Sequence, residues 1–334
     1  MGLLNDLLYN LTEVPIVLFA VSLLVILLLH CTYRLQIHPL SRIPGPSLPK
    51  LTSLWLFYHS YIGDESTVIS ELHKRYGPLV QVSPIEMDIA DGDAIATIYI
   101  NKGGFNKAPC YANFDFDGHQ TIFSTRNMGY RNARAKAVVS LFSTKNIREG
   151  IESIQKCADT LVFRLQQASK QTQPVNLLML TRSFAVDAVS AYIFQQDMED
   201  DVKKRCPLAV SAYVDEAVAV GRLFYLPNWL FGWVEWLLDK CFPDEHVAVA
   251  MGLVDDYVDN VVASASAKGS DYPGRLLAVG LDMDEVKVQC KDLVFAGTDS
   301  VSYIPDSGFL WVTSRHDGGH HDPVEDSLTL SRAE

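Results

Sequence analysis

One short stretch concentrates residue types that could do chemistry. Residues 296–300 read Ala-Gly-Thr-Asp-Ser and interrupt an otherwise apolar run. Upstream, Met283, Val286, Cys290, Leu293, Val294, Gly297 and Val301 recur at helical spacing and form one apolar stripe. A glycine inside a helix costs about 1 kcal/mol relative to alanine. Short hydroxyl and carboxylate side chains compete with the backbone's own hydrogen bonds. A helix carrying both in greasy surroundings is either packed closely against a neighbour or opened locally for chemistry. Asp282 is placed to cap its start, with Glu285 three residues on as in a capping box. A second candidate is the basic-fronted helix over 130–142, where Tyr130 and Arg134 share a face. Its cations Arg131, Arg134 and Lys136 could face an acidic partner or simply be solvated.

Other chemistries are excluded by spacing and charge. The cysteines at 31, 110, 157, 206, 241 and 290 show neither CxxC nor metal spacing and read as reduced thiols. His316, Asp317, His320, His321 and Asp322 are metal-ligating types, but their spacing in a Gly-Gly segment fixes no geometry, so no metal site is expected. The net charge of -12 argues against a nucleic-acid partner, which needs a basic face. With 334 residues, 48% of them hydrophobic, the chain can bury the core of one large domain or two smaller ones.

The elements that must position these residues read as mostly helical. Residues 14–29 carry no charge and 30–33 extend them, which reaches the ~17–25 residues of a membrane span. Asp6 and Glu13 precede the run and no small-residue cleavage site follows, so 1–35 reads as a signal anchor rather than a cleaved signal peptide. Arg34, Arg42 and Lys50 come after it, which places the bulk of the chain on the cytosolic side. The Asn10 sequon lies too near the membrane for use to be expected. Four prolines and a glycine in 38–50 predict an extended, semi-rigid connector, and 36–50 is taken as a hinge.

Beyond the hinge, a helix over 66–76 precedes a hairpin of strands 79–82 and 86–89. A helix is expected from Asp91 to Ile100, and 102–126 lacks periodicity. Helices are expected over 151–168, 177–194, 208–220 and 244–263, the last with Asp255, Asp256 and Asp259 facing solvent. A charged, exposed break is expected over 198–204. In 223–238, Trp229, Trp233 and Trp236 share one helical face. Either a membrane interface or a buried core would explain them. From 303 to 334 composition turns polar and Gly/His/Asp-rich, and this segment is expected to be a divergent, disordered tail.

Four of these features, in this order, resemble the cytochrome P450 family in its fungal, membrane-anchored form. They are the anchor followed by Pro44-Gly45-Pro46; Arg75-Tyr76-Gly77-Pro78-Leu79-Val80 with Val82-Ser83-Pro84; Tyr130-x-x-x-Arg134 ahead of Phe142-Ser143; and Ala296-Gly297-Thr298-Asp299-Ser300. The resemblance covers about 1–302, so 51–302 is expected to be the N-terminal part of a P450-like domain. It implies a mainly α fold with a small β-hairpin, preceded by one transmembrane helix. It also implies a haem cofactor, electrons from NADPH through NADPH–cytochrome P450 reductase, and oxidation of a lipophilic small molecule, as in secondary metabolism. The expected place is the endoplasmic reticulum membrane, single-pass. By this resemblance Arg134, with Arg131 as the competitor in register, binds haem together with Tyr130. Ala296 and Gly297 let haem and dioxygen lie against the helix, and Asp299 and Ser300 relay protons. The loop over 102–126 would cover the substrate pocket, and 223–238 would dip into the bilayer.

Departures from the family pattern are equally specific. Tyr130 stands where Trp or His is usual, and Ser300 where Thr is commoner. The sequence contains no Phe-x-x-Gly-x-x-x-Cys-x-Gly loop, so the axial cysteine is expected to be absent and the chain to be truncated and inactive as written. The alternative expectation is a non-catalytic, membrane-tethered remnant or the product of a misdrawn gene.

Overall fold

A computed structural model describes residues 2–100, 105–168, 170, 176–196, 214 and 221–298, with side chains from residue 17 onward. Most of the expected helix over 208–220, the break at 198–204, Asp299, Ser300 and the tail 303–334 lie outside the described residues. The described chain is mostly helical with one two-stranded antiparallel sheet, as the fold class anticipated. It divides into two compact units, residues 1–105 with 222–226, and 106–221 with 227–334.

The first unit begins with α1, Gly2–Thr32. A 21-residue stretch, Val17–Ile37, is long and apolar enough to cross a membrane, and none of its core window is buried. Leu18, Phe19 and Ile26 stand 61%, 71% and 62% exposed, compatible with a membrane anchor. The proline segment is not simply extended. It makes a tight turn at Pro39–Arg42 and then a one-turn helix α2, Ser47–Leu51, with Pro49 inside it. Proline is tolerated in a first turn because its missing N–H would have no helical partner there. Lys50 Nζ donates to the carbonyls of Ser41 (3.0 Å) and Ile43 (2.7 Å), closing the segment on itself. Pro44 O accepts from Gln81 N at 2.9 Å, and Gly45 adopts φ +152, where a Cβ would come 2.8 Å from Gln81 O. Only glycine lets the two backbones approach so closely.

After α3 (Leu54–Ile62) and α4 (Glu65–Tyr76), strands β1 (Leu79–Gln81) and β2 (Met87–Ile89) pair with Val80 opposite Asp88. His73 joins helix to sheet: one ring nitrogen meets Gly77 O at 2.8 Å and the other Asp88 Oδ1 at 2.7 Å. The helix expected from Asp91 forms only from Ala94 and ends in a single wide turn, Ala96–Ile100.

In the second unit, α5 (Met128–Val138) passes through a tight turn, Val139–Phe142, into α6 (Thr144–Glu149) and α7 (Ile151–Ala168). Then come α8 (Leu177–Tyr192), α9 (Asn228–Cys241), α10 (Glu245–Ser264), α11 (Tyr272–Ala278) and α12, residues 283–298. Side-chain caps open several of them: Asn127, Asn176, Asp244 and Asp271 each accept from an amide in the first turn. Each such cap is worth about 1 kcal/mol. The core forms where α5, α8, α10, α11 and α12 converge. Helix α10 buries Val254, Val258, Val261 and Val262 at helical spacing, and α12 buries Val286, Cys290 and Val294. Fully burying one valine contributes about 1.5–3 kcal/mol.

The carboxylates expected to face solvent on α10 are partly engaged. Asp255 pairs with Lys291 at 2.6 Å and Asp259 with Lys287 at 2.8 Å, which fastens α10 to α12. Arg164 of α7 reaches Asp187 in the middle of α8 at 3.3 Å.

Candidate functional site

Helix α12 organises the site. Asp282 Oδ1 accepts from Glu285 N at 2.8 Å, as a cap should. Glu285 does not complete the capping box with its side chain. It takes a charged partner instead: Arg134 Nη2 of α5 donates to Glu285 Oε1 at 2.8 Å, and Tyr130 Oη lies 3.4 Å from the same oxygen. An ion pair whose side chains are 13% and 23% exposed outcompetes a return to the helix's own amide. Arg134 stacks over Tyr130, its Cζ 3.3 Å from the ring centroid. The Tyr130 hydroxyl donates to Gln120 O at 2.8 Å. Arg134 Nε remains buried with no hydrogen-bond partner.

One turn on, Gln289 is 1% exposed and bridges two points of the preceding loop. Its Oε1 accepts from Ile122 N at 2.8 Å and its Nε2 donates to Gln120 O at 2.9 Å. Asp292 follows on the same face, with the Thr121 hydroxyl and the Phe123 amide as the donors beside it, that amide itself donating to Thr121 Oγ1 at 3.1 Å. Burial pushes its carboxyl up to about 6, against the opposing pull of those donors and of Lys107. Lys107 donates to Phe123 O and lies over the Tyr111 and Phe123 rings. Burial and the neighbouring Arg131 charge lower its pKa, with Asp292 opposing them. The loop turns at Asp117 and Gly118, both at positive φ, as the tight turn closing the Phe116–His119 bridge requires.

Beside this network lies a cavity of about 370 Å³. Ile122, Phe123 and Lys107 form the loop wall; Arg131, Ala135 and Val138 come from α5; Asp292, Leu293 and Ala296 come from α12. Of the residues singled out in the sequence, Ala296 lines this cavity, and so does Arg131. Tyr130 and Arg134 stand together on Glu285. Gly297 lies against α8, where an added Cβ would meet Val189 Cγ2 at 2.8 Å, so here its smallness serves helix–helix contact. Thr298 is fully buried and returns its hydroxyl to Val294 O at 2.5 Å. Sequence reasoning missed Lys107, Gln289 and Asp292. Glu285, Gln289, Asp292 and Ala296 recur at helical spacing as a second stripe, and that pattern could have pointed to them.

The cytochrome P450 family model matches residues 44–313. The chain belongs to the cytochrome P450 family. Among its P450 relatives, the monooxygenase mfmF of Annulohypoxylon moriforme is 29% identical over 309 residues, which is 85% of this chain and 62% of that protein. The monooxygenase gsfF of Penicillium aethiopicum is 30% identical over 48% of this chain and 33% of its own length. Conidiogenone synthase PchP450 of Penicillium rubens is 33% identical over 51% of this chain and 35% of its own. The chain thus spans less than two thirds of the length of each.

Haem is the prosthetic group of P450 proteins, and the donor set can be tested against it. A flat apolar macrocycle edged with carboxylates needs apolar walls, a small residue for close approach and cations at one side. The cavity supplies Val138 and Leu293, then Ala296, then Lys107 and Arg131. Arg134 brings a buried Nε still able to donate. The residues present therefore fit the carboxylate side of haem. Among the described residues no cysteine lines the cavity. Burial raises the thiols of Cys157, to about 11, and of Cys290, which keeps both protonated.

Proposed function

We propose that this chain is the N-terminal part of a fungal, membrane-anchored P450 monooxygenase of secondary metabolism that oxidises a lipophilic small molecule. The observation that carries the reading is the cavity, where Arg131 of α5 and Lys107 of the loop face an apolar wall of α12 containing Ala296. Arg131, Lys107 and Arg134 would hold haem through its carboxylates. Haem, when bound, supplies dioxygen activation, with electrons arriving from NADPH through the membrane reductase. Leu293, Val138 and Phe142 would give an apolar substrate a matching surface. Asp299 and Ser300, which follow Thr298 in the sequence, would hold and pass protons. The anchor would place the chain in the endoplasmic reticulum membrane with its bulk in the cytosol, where the basic face of α5 can meet an acidic reductase surface.

The test is the absorption spectrum of the purified full chain with haem, reductant and carbon monoxide. A Soret band displaced as thiolate ligation requires supports the monooxygenase. A chain that takes up no haem contradicts it.

A further inference from the structure

The loop wall of the cavity is hydrogen-bonded to α12 at two places and abutted at a third. Lys291 Nζ donates to Asp117 Oδ2 at 2.7 Å and Gln289 bridges Gln120 O and Ile122 N, while the Asp292 carboxylate lies beside Thr121 and Phe123. Ile122, which faces the cavity from the loop, is thus fixed through its backbone by a side chain of another element, while the neighbouring Phe123 amide donates to Thr121 Oγ1 within the loop at 3.1 Å. The loop's own bonds are short-range: Thr121, Ser124 and Thr125 satisfy one another and neighbouring amides within the segment. They fold the loop but do not attach it to the cavity.

We propose that Gln289, Lys291 and Asp292 act together as positioning residues that set the wall 117–123 of the cavity, and so decide its shape and access. Asp292 makes this staple sensitive to pH. The charged groups facing it are Lys107 from the loop and, behind Lys107, Arg131 of α5; Tyr272 of α11 feels its charge. Asp115 reaches it only through Ser124 and Thr121. Closing the wall buries Asp292 and disfavours its ionised form; opening returns it to water. A proton therefore binds the closed wall more tightly than the open one, and by linkage acidification tightens the wall. The wall is tightest below the usual aspartate value of about 4 and loosens as pH rises from there through about 6.

Hydrogen exchange of the full chain in lipid nanodiscs tests this, with rates corrected for intrinsic pH dependence. Amides 120–123 are expected to be about tenfold better protected at pH 5 than at pH 7.5, the size of a carboxyl whose pKa falls from about 6 to its usual value on opening. Asp292→Asn mimics the neutral acid and is expected to keep the higher protection at both pH values. Gln289→Leu is expected to cost at least tenfold protection at Ile122 while the amides of α7 stay unchanged. Equal or greater protection at pH 7.5 in the natural chain overturns the pH dependence, and so does an Asp292→Asn chain that still responds to pH. If Gln289→Leu leaves Ile122 protected, the staple itself is overturned.

Discussion

Glu285 decides where Arg134 points. The pair is largely removed from water, and Arg134 otherwise finds only Tyr130 O, at 3.4 Å. Glu285→Ala leaves a guanidinium half-satisfied under a protein roof, which costs about 1–3 kcal/mol. The chemical denaturation midpoint should fall with little change in slope; an unchanged midpoint contradicts the assignment. Asp292 works in the opposite sense. Its folded pKa of about 6 lies above the usual aspartate value, so the ionised carboxylate is a liability above pH 6 that disappears as pH falls toward 4. Asp292→Asn should therefore raise stability at pH 7.5, by up to about 3 kcal/mol, and change little at pH 4. Melting curves at the two pH values read this directly; equal effects at both would show that the carboxyl is not buried as described.

At the scale of elements, the hinge and α9 carry separate consequences. Gly45→Ala sets a Cβ against Gln81 O and holds a side-chain-bearing residue at φ +152. It should cost about 1–3 kcal/mol and expose the 38–50 segment to proteolysis. Resistance equal to that of the natural chain would mean the hinge does not depend on this contact. On α9, Trp229, Trp233 and Trp236 stand 75%, 55% and 58% exposed, which removes the buried-core explanation left open by their spacing. In nanodiscs containing brominated lipid, their fluorescence should be quenched, and Trp229→Ala with Trp233→Ala should remove most of the quenching. Unquenched emission would leave this face without a membrane role. Helix ends were legible where a local signal exists: Asp282 caps as its spacing suggested. The α2 turn through Pro49 and the late start of the 94–100 helix were not, because proline counts and apolar runs do not reveal which turn tertiary contacts select.

Across the whole molecule, the apolar stripe of α12 and its partners in α10 could be read from periodicity alone, since burial repeats along the chain. The polar stripe could not be assigned partners. Arg134 and Glu285 are 151 residues apart, and Gln289 and Gln120 are 169 apart; such pairs leave no local pattern. The carboxylates of α10 looked solvent-facing for the same reason, their lysine partners lying on another helix. Family membership and cavity chemistry meet in one claim, that Lys107 and Arg131 flank the place where haem carboxylates bind. The most direct measurement is absorbance titration of the full chain with haem, for the natural sequence and for Arg131→Ala, Lys107→Ala and the exposed control Lys136→Ala. The expected result is saturable uptake of about one haem, weakened about tenfold by each of the first two changes and unaffected by the third, the size of one charge-assisted hydrogen bond. Uptake that does not saturate, or that responds equally to all three, would contradict it.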